Sequence, residues 1–188
     1  ANGQDNGVRV LDIDADGYMD VVIGNETERL TRIWNPKTET WLETGFPVQL
    51  VDTDENGERR EVGARFGVLQ KNGYASFVLS SGTKSGVWHF QREEWIQVTD
   101  AVPEIDGHRV ETVRAGQDRG VRLRDVDGDG VCEWIVGNAE QNDVFSWDAA
   151  STAWRRLGFG LPLDTQIVTS EGKDAGLRFA DIDEDGSD

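Results

Sequence analysis

The chain has 188 residues and a formal net charge of −17, with 37% apolar residues and a mean hydropathy of −0.55. This composition suits a soluble domain with a buried core, whereas the charge disfavours nucleic acid and anionic membrane as partners, because both would repel the chain. No apolar run approaches the roughly 20 residues of a membrane helix, so membrane insertion is not expected. The single cysteine, Cys132, excludes an intrachain disulfide and a Cys-based zinc site.

A segment that starts with glycine recurs along the chain. The copies begin at Gly7, Gly63, Gly120 and Gly176, which are 56 to 57 residues apart. Three of them contain Asp-x-Asp-x-Asp-Gly, while the copy at Gly63 keeps the glycine and arginine of the segment but lacks its carboxylates. We therefore predict repeats at approximately 7–62, 63–119, 120–175 and a truncated 176–188.

Each repeat combines short strand-like runs with a pair of tryptophans. Runs such as Val21-Val22-Ile23 and Trp134-Ile135-Val136 follow the loops and end at Gly-Asn. Tryptophans seven residues apart then flank turn-forming residues, which predicts a hairpin; the pairs are Trp34 and Trp41, Trp88 and Trp95, and Trp147 and Trp154. About four short strands per repeat predict an all-β partial β-propeller over 1–188, with four-stranded antiparallel blades, about three of them plus a truncated one.

The regular spacing of the tryptophans favours a packing role between neighbouring sheets. The alternative is a platform on which a carbohydrate stacks. A ligand site usually departs from a repeat, whereas a core position obeys it, so packing is the preferred interpretation.

The Asp-rich loops have the composition of calcium sites. Calcium takes six to eight oxygen ligands, and a nine-residue loop can supply them from side chains at positions one, three, five and nine and from the carbonyl of position seven. Three carboxylates within five residues repel one another unless a cation holds them, which disfavours the alternative of plain Asp-rich turns. In acidic loop one, residues 12–20, the predicted ligands are Asp12, Asp14, Asp16, the Tyr18 carbonyl and Asp20.

Two further loops follow the same pattern. In acidic loop two, residues 125–133, the predicted ligands are Asp125, Asp127, Asp129, the Val131 carbonyl and Glu133. Acidic loop three begins with Asp181, Asp183 and Asp185. Its position nine would fall beyond Asp188, so we expect this site to be weak or empty.

Two similar motifs are interpreted differently. An EF-hand loop shares the opening of these loops but requires a glutamate at position twelve and flanking helices. Position twelve is Ile23 in acidic loop one and Val136 in acidic loop two, so an EF-hand is rejected. Residues 52–57 also resemble the motif, yet position nine there is Arg60, and we predict a hairpin turn.

The copy at Gly63 bears on the role of calcium. It keeps the strand pattern although Val68, Gln70 and Asn72 replace the first three acids, so we expect calcium to reinforce the fold rather than create it. Every copy also carries an arginine two residues after its glycine: Arg9, Arg65, Arg122 and Arg178. We expect these arginines to bond or pack between sheets, and a solvated strand face is the alternative.

The loop motif, followed by an apolar strand and Gly-Asn, resembles the FG-GAP or VCBS repeat family, the calcium-binding blades of integrin alpha subunits and many bacterial secreted proteins. The resemblance covers essentially the whole chain. It implies a β-propeller, usually of seven blades, with calcium between the first two strands of a blade and with the ligands given above for acidic loops one and two. It also implies a fragment of a larger secreted bacterial protein, whose remaining blades and domains would be its neighbours.

No nucleophile–base or zinc-protease motif occurs, and His89 and His108 are isolated in sequence, so we expect no catalysis. The expected function is a calcium-binding module that contacts a protein or glycan ligand or spaces the domains of a larger protein. The alternatives are the accessory propeller of a secreted sugar-dehydrogenase-like, c-type haem protein and part of a calcium-dependent polysaccharide lyase. Extracellular modules bind calcium with dissociation constants of roughly 10⁻⁴ to 10⁻³ M, so we expect a secreted, periplasmic or cell-surface location.

Overall fold

The computed structural model describes residues 4–180, which form three four-stranded antiparallel sheets and three two-stranded ribbons. Sheet one contains β1 (Val8–Leu11), β2 (Asp20–Gly24), β3 (Arg29–Asn35) and β4 (Thr40–Gly45), and a ribbon follows from β5 (Val51–Thr53) and β6 (Arg59–Glu61). Sheet two contains β7 (Arg65–Val68), β8 (Ala75–Ser80), β9 (Ser85–Gln91) and β10 (Glu94–Thr99). In all three sheets each strand pairs with the next one in the chain.

The second half of the chain repeats this order. Two ribbons come first, β11 (Glu104–Ile105) with β12 (His108–Arg109) and β13 (Val113–Arg114) with β14 (Gln117–Asp118). Sheet three contains β15 (Val121–Arg124), β16 (Glu133–Gly137), β17 (Asn142–Asp148) and β18 (Ala153–Arg156). A single 3₁₀ turn follows at Pro162–Asp164.

The prediction of an all-β chain with four-stranded antiparallel sheets is confirmed. Each sheet begins at a predicted repeat, and its first two strands flank the loop of that repeat. Within residues 4–180 no sheet closes on itself. The same residues contain no helix long and apolar enough to cross a membrane.

Sheet two packs against sheet one with one face and against sheet three with the other. It can do so because successive residues of a strand point to opposite faces. Phe77 of β8 joins Val22 and Ile33 of sheet one in one apolar cluster. The next residue, Val78, joins Trp134 and Phe145 of sheet three in a second cluster. All six residues of β8 are therefore buried, whereas only alternate residues of β2 are.

The glycines that open the repeats of sheets one and three, Gly7 and Gly120, have a steric role. Gly7 and Gly120 have φ values of +68° and +71°, and a Cβ at either position would lie 2.4 Å from the carbonyl oxygen of Gly24 or Gly137. Any larger residue would clash with the end of the neighbouring strand. The segment can therefore begin at this place only with glycine.

The hairpin predicted from each tryptophan pair is present in all three sheets, but the two tryptophans lie opposite each other only in sheets one and three. Trp34 lies opposite Trp41, and Trp147 lies opposite Trp154, with ring centroids 5.1 Å and 5.0 Å apart. In sheet two, Trp95 instead lies opposite Phe90. The physical reason is a shorter turn, because only Arg92 and Glu93, both with positive φ, separate β9 from β10.

The tryptophans of sheet two are core residues, as the packing interpretation predicts. Trp88 and Trp95 are 2% and 8% exposed. Trp88 stacks on Phe77 with ring centroids 4.7 Å apart.

The predicted hairpin turn at residues 52–57 is also confirmed, since it joins β5 to β6 and its Asp54 accepts hydrogen bonds from the backbone amides of Asn56 and Glu58. The ribbons β11–β12 and β13–β14 were not predicted from the sequence.

Candidate metal centres

Acidic loop one joins β1 to β2, and hydrogen bonds from its backbone amides to its own carboxylates fold it back on itself. Leu11 pairs with Asp20, so the first and last carboxylates of the loop start close together. The Asp12 carboxylate accepts the amide of Gly17 at 2.9 Å, and Gly17 has a φ of +88°, which suits glycine. The loop therefore winds around its own first side chain.

Three of the predicted side-chain ligands of this loop converge. One carboxylate oxygen from each of Asp12, Asp14 and Asp20 lies within 4.8 Å of the other two. Asp16 is not a member of this group, and its carboxylate accepts the amide of Tyr18 at 2.9 Å. The predicted positions one, three and nine are thus brought together, and position five is not.

Asp20 anchors the group to the core. It is fully buried, and its two oxygens accept the backbone amides of Ile13 at 2.9 Å and Trp34 at 2.8 Å. Each carboxylate oxygen has two lone pairs, so these bonds leave acceptor capacity for a cation. The same side chain therefore joins the loop, β2 and β3.

The electrostatics of acidic loop one fit a cation. Burial raises the pKa of Asp14, and the negative charges of Asp16, Asp20 and Asp12 raise it further. Its Oδ1 atom is buried and has no hydrogen-bond partner. A buried carboxylate oxygen without a donor is costly, and a divalent cation would satisfy it and offset the repulsion.

Acidic loop two joins β15 to β16 and has the same geometry. Oxygens of Asp125, Asp127 and Glu133 lie within 4.8 Å of one another. The Asp125 carboxylate accepts the amides of Gly128 and Gly130, each at 2.8 Å. Asp129 again lies outside the group of three and accepts the amide of Val131 at 2.8 Å.

Glu133 is the counterpart of Asp20. It is 3% exposed, and its Oε2 accepts the amide of Val126 at 3.0 Å. Burial raises the pKa of Glu133 to about 7, and the charges of Asp127, Asp125 and Asp129 act in the same direction. As in acidic loop one, the fold gathers negative charge at a place where only a cation would compensate it.

The predicted carbonyl donors, Tyr18 and Val131, lie at position seven of their loops. Their backbone amides donate to the carboxylates of Asp16 and Asp129. Acidic loop three, with Asp181, Asp183 and Asp185, lies outside the described residues.

The loop of the Gly63 copy, residues 68–76, holds its shape with neutral groups; we call it the acid-free loop. At position nine, the Ser76 hydroxyl bonds to Nδ1 of His89 at 2.9 Å, and both residues are buried. At position three, the Gln70 amide donates to the carbonyl of Phe90 at 3.1 Å. The contact with His89 was not predicted, because it depends on the pairing register of β8 with β9, in which Ser76 lies opposite His89.

The prediction of arginines that bond between sheets holds for Arg65. Its side chain is 11% exposed, and its guanidinium donates to the carbonyl of Val121 and to the carboxylate of Asp118, both at 3.0 Å. Burial raises the pKa of Asp118, but the hydrogen bond from Arg122 and the charge of Arg65 outweigh it, so the pKa is lowered overall. Arg65 therefore joins sheet two to the segment that opens sheet three.

The other arginines bind locally. Arg9 pairs with Asp5 at 2.7 Å and Arg178 pairs with Asp174 at 2.6 Å, in each case four residues earlier in the chain. Both pairs are partly exposed, which agrees with the alternative of a solvated strand face.

Sequence reasoning missed the role of the asparagines that follow β2 in sheet one and β16 in sheet three. Asn25 is 7% exposed and Asn138 is 6% exposed. The Asn138 side chain accepts the amides of Glu140 and Gln141 and donates to the carbonyl of Arg119, and Asn25 makes the corresponding three bonds. The Gly-Asn dipeptide was the available signal, and it marks a turn tied to the start of its repeat.

No known protein family has a model that matches the chain, and no curated protein matches it. The case for a function therefore depends on the acidic loops and their surroundings. Two copies of one geometry within a single chain are the strongest feature of those surroundings.

Proposed function

We propose that this chain is a calcium-binding module in which acidic loops one and two each hold one calcium ion. The observation that carries the proposal is the convergence of positions one, three and nine in both loops, with ligand oxygens within 4.8 Å. Hard oxygen ligands of this kind suit calcium. In this proposal Asp12, Asp14 and Asp20 hold one ion, and Asp125, Asp127 and Glu133 hold the other.

The ligand residues have different structural roles within each proposed site. Asp20 and Glu133 are buried and fixed by backbone amides, so they supply a rigid base for the ion. Asp12 and Asp125 close the loop through glycine amides. The carbonyls of Tyr18 and Val131, with Asp16 and Asp129, complete the proposed ligand set. A bound cation would neutralise part of the net charge of −17.

We further propose that the three sheets are consecutive blades of an FG-GAP/VCBS-like β-propeller. Four-stranded meanders that pack face to face, each with its loop between its first two strands, support this architecture. The family resemblance supports it as well. The remaining blades and domains of a parent protein would be its immediate partners.

The proposed role is binding or architecture, in a secreted, periplasmic or cell-surface setting. Ser76 and His89 form a hydrogen bond, but both are buried, so a substrate could not reach them. The acidic loops would be filled by their own ligands. These features support a module that recognises a protein or a glycan without turnover.

Calorimetric titration of calcium into the chelated protein tests the proposal. We expect about two sites with dissociation constants of roughly 10⁻⁴ to 10⁻³ M, and a higher melting temperature with calcium. The double variant Asp14→Asn, Asp127→Asn should lose both sites, whereas Asp52→Asn, in the hairpin turn that lacks the ligand pattern, should keep them. Absence of binding, or binding that the double variant retains, would refute the proposal.

A further inference from the structure

A cleft of about 850 Å³ opens beside acidic loop one. It lies between that loop, the turn that joins β3 to β4, the acid-free loop and the turn that joins β9 to β10. Small-molecule sites commonly occupy roughly 300 to 1,000 Å³, so the size suits one or two sugar units. Asp14, Asp16 and Tyr18 of the proposed calcium site form part of its wall.

One side of the cleft is apolar and largely aromatic. Tyr18, Trp34, Tyr74 and Leu42 line it, and Phe90 lies beneath them. Tyr18 is 50% exposed and Leu42 is 40% exposed, so part of this side faces solvent. Exposed aromatic rings next to a polar rim are suited to a ligand that has one apolar and one polar face.

The other side carries both donors and acceptors. Lys37, Arg92 and the Asn35 amide can donate, and Asp16 and Glu93 can accept. Asp16 is also a proposed calcium ligand, but a carboxylate has two oxygens with two lone pairs each, so it can still accept a hydrogen bond from a ligand in the cleft. Hydroxyl groups are the ligand groups that use both kinds, since each donates one hydrogen bond and accepts others.

We propose that this cleft binds a neutral glycan through a pyranose ring. The C–H face of the ring would stack on the aromatic side, and its hydroxyls would bond to the mixed polar side. An acidic sugar is disfavoured, because Asp14, Asp16 and Glu93 line the cleft of a chain whose net charge is −17. This inference rests on the proposed function, since acidic loop one forms one wall.

The cleft departs from the repeat, as a ligand site is expected to do. The comparable cleft beside acidic loop two has about 410 Å³, and its one aromatic lining residue is Trp147, which is 9% exposed. The smaller cleft is completed by Leu69 and Lys71 of the acid-free loop, in the sheet that precedes acidic loop two. The cleft beside acidic loop one is completed by the sheet that follows it, through Tyr74, Arg92 and Glu93.

A glycan array probed with the calcium-loaded protein, followed by calorimetry with the best neutral oligosaccharide, tests the inference. Tyr74→Ala removes a cleft ring from the acid-free loop, which holds no proposed calcium ligand, and Lys37→Ala removes a rim donor. Each should weaken glycan binding by about five- to tenfold without changing calcium affinity. Phe159→Ala removes an exposed ring that does not line the cleft, and it should bind the glycan normally.

The calcium titration of the same samples separates the two proposals. A protein that binds calcium but gives no signal with neutral glycans, or prefers acidic ones, would overturn the glycan inference and leave the calcium site intact. Equal glycan affinity in the Tyr74 and Phe159 variants would also overturn it. A protein that binds no calcium would refute the proposed function first.

Discussion

Acidic loop one and the acid-free loop connect the same two strands in neighbouring sheets with the same register. Leu11 pairs with Asp20 in sheet one, and Gly67 pairs with Ser76 in sheet two. Acidic loop one brings together the carboxylates of Asp12, Asp14 and Asp20, and Oδ1 of Asp14 is buried without a hydrogen-bond partner. The acid-free loop has no carboxylate. The strand frame is therefore compatible with either chemistry.

The comparison shows that neutral hydrogen bonds can hold the loop between the first two strands of a sheet. In the acid-free loop, the buried Ser76–His89 hydrogen bond and the bond from Gln70 to Phe90 satisfy the polar groups locally. In acidic loop one, the buried Asp20 holds two amides, but Asp14 adds repulsion. We infer that a cation stabilises the acidic loop against a cost that the neutral loop does not have.

The largest expected effect concerns the arginines that stand at the same register before the two loops. Arg65→Ala would remove the buried guanidinium that binds Glu61, Asp118 and the Val121 carbonyl, and we expect a loss of about 3 to 4 kcal/mol in the free energy of unfolding. Arg9→Ala breaks a partly exposed pair with Asp5 and should cost less than about 1 kcal/mol. Urea denaturation in chelator measures both, and similar losses would contradict the inter-sheet role of Arg65.

The next effect compares position nine of the two loops. Asp20→Ala would leave the buried amides of Ile13 and Trp34 unsatisfied and should cost about 3 kcal/mol even without calcium. Ser76→Ala removes one neutral bond to His89 and should cost about 1 kcal/mol. Thermal and urea unfolding in chelator would show the difference. If Asp20→Ala were harmless under those conditions, its role would be restricted to the metal.

The smallest expected effect is that of Asp14→Asn on stability, and it depends on whether calcium is present. Because the charged form of Asp14 is disfavoured in the metal-free fold, Asp14→Asn should leave stability in chelator unchanged or slightly higher. At a calcium concentration of 10 to 100 times the dissociation constant, the same variant should lose the roughly 1.4 to 2.7 kcal/mol that one bound ion supplies. Gln70→Asn changes the same position of the acid-free loop, and the change in stability that it causes should be the same with and without calcium. A loss for Asp14→Asn of equal size with and without calcium would point to a structural role instead.

Several features were predictable because they depend on local sequence. The four-stranded sheets, the loops between their first two strands and the hairpin at residues 52–57 follow from short β-branched runs and turn residues. The gathering of positions one, three and nine follows from a loop whose ends are held by a strand pair. Position five, at Asp16 and Asp129, was placed in the group by the motif, but in the structure these side chains bond to the backbone two residues later.

Other features depend on packing between segments that are distant in the chain. The spacing of Trp88 and Trp95 equals that of the other two pairs, yet Trp95 lies opposite Phe90, because the β9–β10 turn has two residues fewer than the others. The register of that hairpin, and not the spacing of identical residues, determines the partner. A repeat in sequence therefore predicted the hairpin but not its cross-strand pairs.

The sequence by itself determined the repeat, the acidic loops and the strands around them, since glycine conformation, carboxylate spacing and alternation are properties of adjacent residues. Only the tertiary structure decided that His89 closes the acid-free loop, that Arg65 reaches the segment before sheet three, and that a cleft opens beside acidic loop one. The first of these contacts joins paired residues of β8 and β9 within sheet two, and the other two features arise where separate sheets meet. Contacts across such faces depend on side-chain shape and strand register over tens of residues, which no local pattern records.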